Sequence, residues 1–377
     1  MAGIYIHIPF CKQACYYCDF HFSTSLSKKG PMLLALEQEL LLRKEEFKNE
    51  KIETIYFGGG TPSVLEISEI EQLLASIKNN YKVIASPEIT LEANPDDLSS
   101  LKIKALGDSS INRLSIGIQS FFDQDLKLMN RAHDAHEAHT SITEAKKYFN
   151  NITIDLIYGI PGMTNARWED NIAKALAYEL PHISSYALTV EPKTALKSFI
   201  EKGVIPDVND DITQQQFELL LDQLEAKGYI NYEISNFGKK GYFSNNNTAY
   251  WQGKKYMGIG PSAHSYDGVR RAWNINNNSK YIRSIQQNIL PYEEEKLTKK
   301  DRYNEYIMTS LRTIWGISVD RVRTEFGNSY SDYLLQRSDK YITEDLLAMK
   351  GNTILVTKKG KFLCDGIASD LFMIKLN

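Results

Sequence analysis

The feature that most constrains the fold is an alternation of short strand-like runs with longer helix-like stretches over the first two-thirds of the chain. Six apolar and β-branched runs predict strands, at Gly3–Ile8, Ile52–Phe57, Glu88–Ala93, Arg113–Ile118, Thr153–Tyr158 and His182–Leu188. Helical periodicity follows most of them, at Met32–Phe47, Ser68–Asn79, Asp134–Tyr148, Trp168–Tyr178 and Thr213–Lys227. This order predicts an α/β fold built on a parallel sheet.

The residues that follow these strands distinguish two ways of arranging such a sheet. Every strand is followed by polar, glycine or proline residues, at 11–18, 58–62, 92–95, 119–120, 159–162 and 189–192. A barrel builds its site from the C-terminal ends of all its strands, whereas a doubly wound sheet uses its switch point. The pattern favours a partial (β/α)6 TIM-like barrel.

The pattern changes after Tyr229. Residues 236–278 are rich in Asn, Gly, Tyr and Trp and show little periodicity. Farther on, the predicted elements are helices at Asp301–Ile314, Val319–Phe326 and Tyr330–Gln336, and a hairpin at Leu346–Val356. Because this order resembles a winged-helix module, we divide the chain into a core of residues 1–236, a connecting segment of residues 237–290 and a mainly helical C-terminal domain of residues 291–377.

Composition excludes several classes of protein. The 377 residues carry a net charge of −3, and the C-terminal domain has no basic stripe, so we expect no nucleic-acid partner. No stretch approaches the ~20 apolar residues of a transmembrane segment. The opening residues lack the pattern of a secretory signal, so we expect a cytoplasmic protein with reduced thiols.

Three of the four cysteines lie within eight residues, in a C-x3-C-x2-C motif formed by Cys11, Cys15 and Cys18. Three thiolates can hold three irons of a [4Fe–4S] cluster and leave the fourth iron open to S-adenosylmethionine. The alternative is a structural zinc site completed by His7 or His21. The fourth cysteine, Cys364, lies in an apolar segment and is interpreted as a small buried side chain.

The cysteine motif resembles that of the radical S-adenosylmethionine (radical SAM) superfamily, and the run Gly58–Pro62 resembles its glycine motif. Five further segments resemble the coproporphyrinogen dehydrogenase and heme chaperone (HemN/HemW) family, at residues 90–95, 114–121, 130–133, 155–162 and 232–237. The resemblance runs from Tyr5 to about Ser265 and is weaker beyond.

The resemblance implies which residues contact S-adenosylmethionine. These are Tyr5, Tyr17, Gly59, Gly60, Thr61, Glu92, Gln119, Arg131, Asp155 and Ala187. A carboxylate can accept both ribose hydroxyls, and arginine can clamp a carboxylate. Without the family resemblance, Glu92, Gln119 and Asp155 would be interpreted as polar residues at strand ends that cap the next helix.

A histidine group at His133, His136 and His139 suggests a metal site. On a helix, His133 and His139 would lie about 120° apart, too far to share an ion. We therefore expect structural or surface roles, with some functional weight left to His133 because it follows Arg131.

The family has two branches. The oxidase branch, which decarboxylates coproporphyrinogen III, has a further cysteine two residues past the third, where this chain has Phe20, and a long extension before the cysteines, where this chain has ten residues. Both differences favour the branch of heme chaperones, which bind heme and pass it to respiratory proteins. The oxidase remains the alternative.

One motif differs from the pattern of the chaperone branch. The chaperone branch has His-Asn-x-x-Tyr-Trp, implicated in heme binding, and this chain has Asn246, Asn247, Tyr250 and Trp251. An asparagine amide is a poor iron ligand compared with imidazole. We expect weak heme binding in this region, with His264 as a possible substitute ligand or simply a histidine lining the barrel.

A third hypothesis is a radical enzyme that acts on RNA. Such enzymes usually carry further cysteines or a basic RNA-binding domain. This chain has neither feature, so the hypothesis is disfavoured.

Overall fold

The computed structural model describes residues 2–374. Its strands are β1 (Ala2–Ile8), β2 (Lys51–Gly59), β3 (Lys82–Ala93), β4 (Arg113–Gln119), β5 (Ile152–Tyr158), β6 (His182–Ala187), β7 (Ile230–Glu233), β8 (Asn236–Gly238), β9 (Lys255–Ile259), β10 (His264–Tyr266), β11 (Arg270–Asn274), β12 (Tyr292–Lys296), β13 (Ile317–Ser318), β14 (Leu347–Lys350) and β15 (Thr353–Val356).

The α-helices lie between and after these strands. They are α1 (Lys29–Leu42), α2 (Ile67–Asn80), α3 (Ser100–Gly107), α4 (Asp123–Leu128), α5 (Ala135–Ala145), α6 (Asn165–Ala177), α7 (Ala195–Glu201), α8 (Asp210–Ala226), α9 (Asn245–Trp251), α10 (Asn278–Gln286), α11 (Lys299–Leu311), α12 (Val319–Phe326), α13 (Asn328–Thr343) and α14 (Cys364–Asp370).

Strands β1 to β6 are parallel and lie side by side in chain order. A doubly wound sheet would reverse its order at a switch point. The partial barrel is therefore confirmed and the doubly wound alternative is wrong. Within residues 2–374 the sheet stays open, because β8 and β7 add antiparallel beyond β6 and β9 to β12 add beyond β1.

The two faces of the parallel strands differ in chemistry. In β1, Ile4, Ile6 and Ile8 are buried in the hydrophobic core. Tyr5 lies on the opposite face, where its ring stacks on Tyr56 of β2 with centroids 6.0 Å apart. Closed TIM barrels fill this inner face with branched apolar side chains. Here it carries polar and aromatic groups, so the interior can receive a polar ligand.

The segment of low periodicity becomes part of the same sheet. Strand β9 pairs parallel with β1, and β10, β11 and β12 follow antiparallel. These pairings join residues far apart in the chain, which local periodicity does not reveal. The wall formed by β9 to β12 is called the edge sheet below.

The C-terminal region has its own hydrophobic core and a three-stranded sheet in the order β13-β15-β14. Helices α11, α12 and α13 and strands β13, β14 and β15 follow one another as in a winged helix. Cys364 lies in this core at 1% exposure, which confirms the expected buried side chain. In the described part of the chain, no helix has both the length and the apolar character to cross a bilayer.

Candidate functional site

A cavity of about 640 Å³ opens at the C-terminal ends of the parallel strands. Its lining includes Cys11, Cys15, Tyr17, Cys18, Phe20, Gly59, Gly60, Thr61, Glu92, Asn94, Gln119, Arg131, Asp155, Tyr186 and Ala187. The cavity therefore brings together all but one of the residues expected to bind the cluster or S-adenosylmethionine.

The cysteine loop is held against the strand ends by backbone hydrogen bonds. Cys11 N–H donates to the carbonyl of Ser23 (3.1 Å), and Thr61 N–H donates to the carbonyl of Phe10 (2.7 Å). The Thr61 hydroxyl lies 3.3 Å from Cys11 Sγ, and an Arg131 nitrogen lies 3.4 Å from Cys15 Sγ. All three thiols consequently border one space.

The thiols suit a cluster better than a single ion. Within residues 2–374, no three Cys, His, Asp or Glu side chains are placed to hold one metal ion together. A cubane binds each thiolate through a different iron, so its ligands are spread farther apart. Burial raises the pKa of Cys11 and of Cys18 to about 11, so the thiolates need nearby positive charge such as iron provides.

The two histidines considered for zinc have other partners. A ring nitrogen of His7 lies 2.9 Å from the carbonyl oxygen of His21. His21 in turn lies 2.7 Å from the side-chain oxygen of Asn278. Both rings thus join the loop to its surroundings instead of completing a zinc site.

Glycine is required where β2 passes under the cysteine loop. A Cβ on Gly59, whose φ is +111°, would lie 2.6 Å from the His7 ring. A Cβ on Gly60 would lie 2.6 Å from the carbonyl oxygen of Phe10. Neither neighbour can withdraw without moving the loop, so the glycines allow a close approach of backbone to backbone and to any ligand above it.

Two carboxyl groups lie deeper in the cavity. Burial raises the pKa of Glu92 to about 7, although the Tyr56 hydroxyl, which donates to it at 2.8 Å, opposes the rise. Burial likewise raises the pKa of Asp155 to about 6, opposed by a hydrogen bond from Ser184. Each carboxylate would be stabilised by a ligand that donates hydrogen bonds or carries positive charge.

Arg131 is oriented by two oxygen acceptors. One guanidinium nitrogen donates to Asn94 Oδ1 (2.7 Å) and to the carbonyl of Gly117 (2.9 Å). Its buried Nε has no hydrogen-bond partner among the described residues. An arginine that lines a cavity fits a ligand with a carboxylate, such as the methionine part of S-adenosylmethionine.

The remaining expected residues divide into two groups. Tyr17, Gln119 and Ala187 line the cavity. Tyr5 does not, because it lies one layer below, with its hydroxyl 3.4 Å from His7 Nδ1. Its ring instead supports Gly58, where an added Cβ would lie 2.9 Å away.

Sequence reasoning missed two contributors. Asn94 bonds both Arg131 and Thr61 (3.2 Å to its hydroxyl), and so joins two walls. It was visible as part of a strand-end motif but carried no assigned role. Tyr186, which lines the cavity from β6, had no signal apart from its position near the end of a strand.

Four of the residues considered for heme, Asn246, Asn247, Tyr250 and Trp251, lie together on α9, where Tyr250 hydrogen-bonds to the Asn246 side chain, whereas His264 lies apart on β10. Asn246 is 3% exposed, accepts a hydrogen bond from Thr54 (3.0 Å) and lies near Gly3. Its backbone N–H and that of Asn245 donate to Glu88, which caps α9 inside the barrel. A side chain in this position is unavailable to iron unless α9 moves.

The other residues of this region face different neighbours. Tyr250 packs edge-on against Tyr256, with centroids 4.5 Å apart. The guanidinium of Arg312 lies over the Trp251 ring at 5.2 Å. His264 is exposed on the edge sheet, in a second cavity, and Asn247 is half-buried in the first turn of α9.

The three histidines near α5 do not form a metal site. His133 is buried, with its ring nitrogen 3.0 Å from the carbonyl of Ile118, and burial lowers its pKa to about 3. His136 and His139 are exposed, and His139 lies 2.6 Å from the Tyr178 hydroxyl. These are the structural and surface roles expected.

Comparison with known proteins gives the family. Residues 5–175 match the radical SAM superfamily, and residues 297–363 match the HemN C-terminal domain. The chain is 36% identical to the heme chaperone HemW of Lactococcus lactis, over 96% of this chain and 97% of that protein, and 34% identical to HemW of Bacillus subtilis over the same shares.

A solved structure agrees in fold. The coproporphyrinogen III oxidase HemN of Escherichia coli, a radical SAM enzyme, superposes with a TM-score of 0.85 at 23% identity, over 99% of this chain and 90% of that one. By its near full-length identity to these relatives, the chain belongs to the HemW family within the radical SAM superfamily.

Proposed function

We propose that this protein is a heme chaperone, which binds heme in the cytoplasm and delivers it to respiratory proteins. The observation that carries the proposal is the 36% identity to a heme chaperone over 96% of the chain. The family also implies a [4Fe–4S] cluster and S-adenosylmethionine.

In this proposal Cys11, Cys15 and Cys18 hold the cluster. When bound and reduced, such a cluster supplies an electron to the sulfonium of S-adenosylmethionine. Arg131 binds the carboxylate of that cofactor through its guanidinium, and Glu92 accepts hydrogen bonds from the ribose. The glycines let the backbone approach the amino group, with Thr61, Gln119, Asp155, Tyr17 and Ala187 forming the rest of the wall.

The rim of the cavity supports the chaperone over the oxidase. Phe20, in the position of the extra cysteine of the oxidase branch, lines the cavity and is 69% exposed. It offers an apolar surface and no thiol. We therefore expect no coproporphyrinogen III dehydrogenase activity, and the oxidase remains the alternative to be tested.

The test is a pair of assays on anaerobically reconstituted protein. One measures heme binding and the transfer of heme to membranes that contain heme-free respiratory cytochromes. The other measures loss of coproporphyrinogen III. Transfer without turnover supports the proposal, whereas formation of protoporphyrinogen IX refutes it in favour of the oxidase.

A further inference from the structure

A second cavity, of about 510 Å³, lies on the edge sheet away from the cysteine loop. It is lined by Ser262, His264, Trp273, Asn274, Ile275, Asn276, Pro291, Tyr292 and Glu293. His264 and Trp273 are directly opposite each other on β10 and β11, with ring centroids 6.3 Å apart. The cavity therefore combines an imidazole with two broad aromatic side chains.

The wall of this cavity is held by a buried polar network. Asn274, 3% exposed, donates from Nδ2 to Glu39 Oε1 and to the carbonyl of Gly260, both at 2.8 Å. Glu39 is fully buried and pairs with Arg43 at 3.2 Å. The Arg43 guanidinium lies 5.5 Å from the centroid of the Tyr292 ring. Helix α1 thus fixes two lining side chains before any ligand arrives.

One buried atom in this wall has no protein partner. The two acceptors around Nδ2 determine the orientation of the Asn274 amide, and its Oδ1 is left without a hydrogen bond among the described residues. A buried acceptor without a partner costs free energy, so such atoms usually meet water or a ligand. The Asn274 side chain in this wall therefore retains one unpaired acceptor among the described residues.

We propose that this cavity docks heme, with His264 as the axial ligand of the iron and Trp273 in edge contact with the porphyrin. The proposal rests on the chaperone function proposed above and gives its cargo a site. Imidazole is a common axial ligand of heme iron. The Trp273 ring is tilted by 32° from the His264 ring, so it presents an apolar edge to a porphyrin that binds perpendicular to the imidazole.

The surroundings of His264 suit this role. Its ring makes no hydrogen bond to any residue from 2 to 374, so a nitrogen is free for iron. Glu293, across from Trp273 on β12, also lines this cavity and would repel heme propionates placed beside it.

The test is a titration of the full-length protein with ferric heme, followed by absorption and electron paramagnetic resonance spectra. The variants are His264→Ala, Trp273→Leu and, as a control, His136→Ala, which removes an exposed histidine that lines neither cavity. Iron content after cluster reconstitution checks that each variant is folded.

The unmodified protein and His136→Ala should show the same histidine-ligated spectrum. His264→Ala should lose it and bind heme about tenfold or more weakly, since even loss of an outer-shell partner of a metal costs that much. Added imidazole should restore the spectrum. Trp273→Leu should weaken binding with the ligand signature retained.

Two results would contradict the proposed heme site. Only one of them would also contradict the chaperone function. Heme binding with an unchanged spectrum and affinity in His264→Ala would place the cargo elsewhere and leave the chaperone function standing. Failure of the unmodified protein to bind heme would overturn the chaperone function together with the site.

Discussion

The two cavities share one sheet but are built in different ways. The first is formed by the ends of six parallel strands and is lined by three thiols, four carboxyl groups and one arginine. The second is formed by antiparallel strands and holds one imidazole and two aromatic rings. The first suits a charged, chelating cofactor and the second a flat apolar ligand, which is the division of labour that a cofactor-dependent chaperone needs.

The sharpest way to separate the cavities is Cys15→Ser. Loss of one of three cluster ligands should reduce iron from about four per chain to near zero and abolish the charge-transfer absorption. Heme titration at the second cavity should be unaffected. Iron analysis after anaerobic reconstitution measures the effect.

Cys364→Ala is the matched control, because this thiol lies in the C-terminal core and should leave the iron content unchanged. Stoichiometric zinc in the native protein, with no uptake of iron, would contradict the cluster.

Arg43→Ala tests the buried network that supports the second cavity. The change leaves Glu39 buried and unpaired, which should lower the free energy of unfolding by ~3–5 kcal/mol. It should also weaken heme binding, because Tyr292 and Asn274 lose their support. Urea denaturation measures the first effect and heme titration the second.

Arg270→Ala serves as the control for this experiment. Arg270 forms an exposed pair with Asp267, so its loss should cost no more than ~1 kcal/mol. Equal losses in the two variants would mean that the buried network does not support the edge sheet.

Glu92→Ala should act on the first cavity alone. Removal of charge-assisted hydrogen bonds to the ribose should weaken S-adenosylmethionine binding by ~1.5–3 kcal/mol. Calorimetry on the reconstituted protein measures this. Unchanged affinity would show that Glu92 only accepts the hydrogen bond of Tyr56.

The smallest effect is a dependence of stability on pH. Because the pKa of Glu92 is raised to about 7, the folded protein retains a proton that the unfolded chain has lost between about pH 4.5 and 7. Its contribution to stability is therefore present at low pH and lost as the pH rises through this range. Glu92→Gln removes the titration but keeps an acceptor for Tyr56.

The free energy of unfolding of the variant minus that of the unmodified protein should therefore be ~1–3 kcal/mol larger at pH 8 than at pH 5. Urea denaturation of the apoprotein at both values measures this gain. The lowered pKa values of His7 and His133 act in the opposite direction, but they cancel in the difference. An equal difference at the two pH values would mean that Glu92 is not protonated in the folded state.

Local signals predicted the elements with uneven success. Strands β1, β2, β4, β5 and β6 lie within two residues of their predicted bounds, because alternation or an apolar run marks them. Strand β3 begins at Lys82 instead of Glu88, since Pro87 and exposed residues interrupt its pattern. The short helices α3, α4 and α7 were not predicted, because eight residues or fewer give little periodicity.

The cysteine motif, the glycines and the polar strand ends were readable because parallel strands deliver their C-terminal ends to one place. Sequence alone therefore determined the barrel and predicted most of the residues that line the first cavity, among them the three cysteines proposed as cluster ligands. Only the tertiary structure decided that Asn246 is buried inside the barrel while His264 borders a separate cavity. Such placements depend on contacts between residues far apart in the chain, such as Asn274 and Glu39, which are separated by 235 residues. Contacts at that separation produce no periodicity or motif that could be recognised in the sequence.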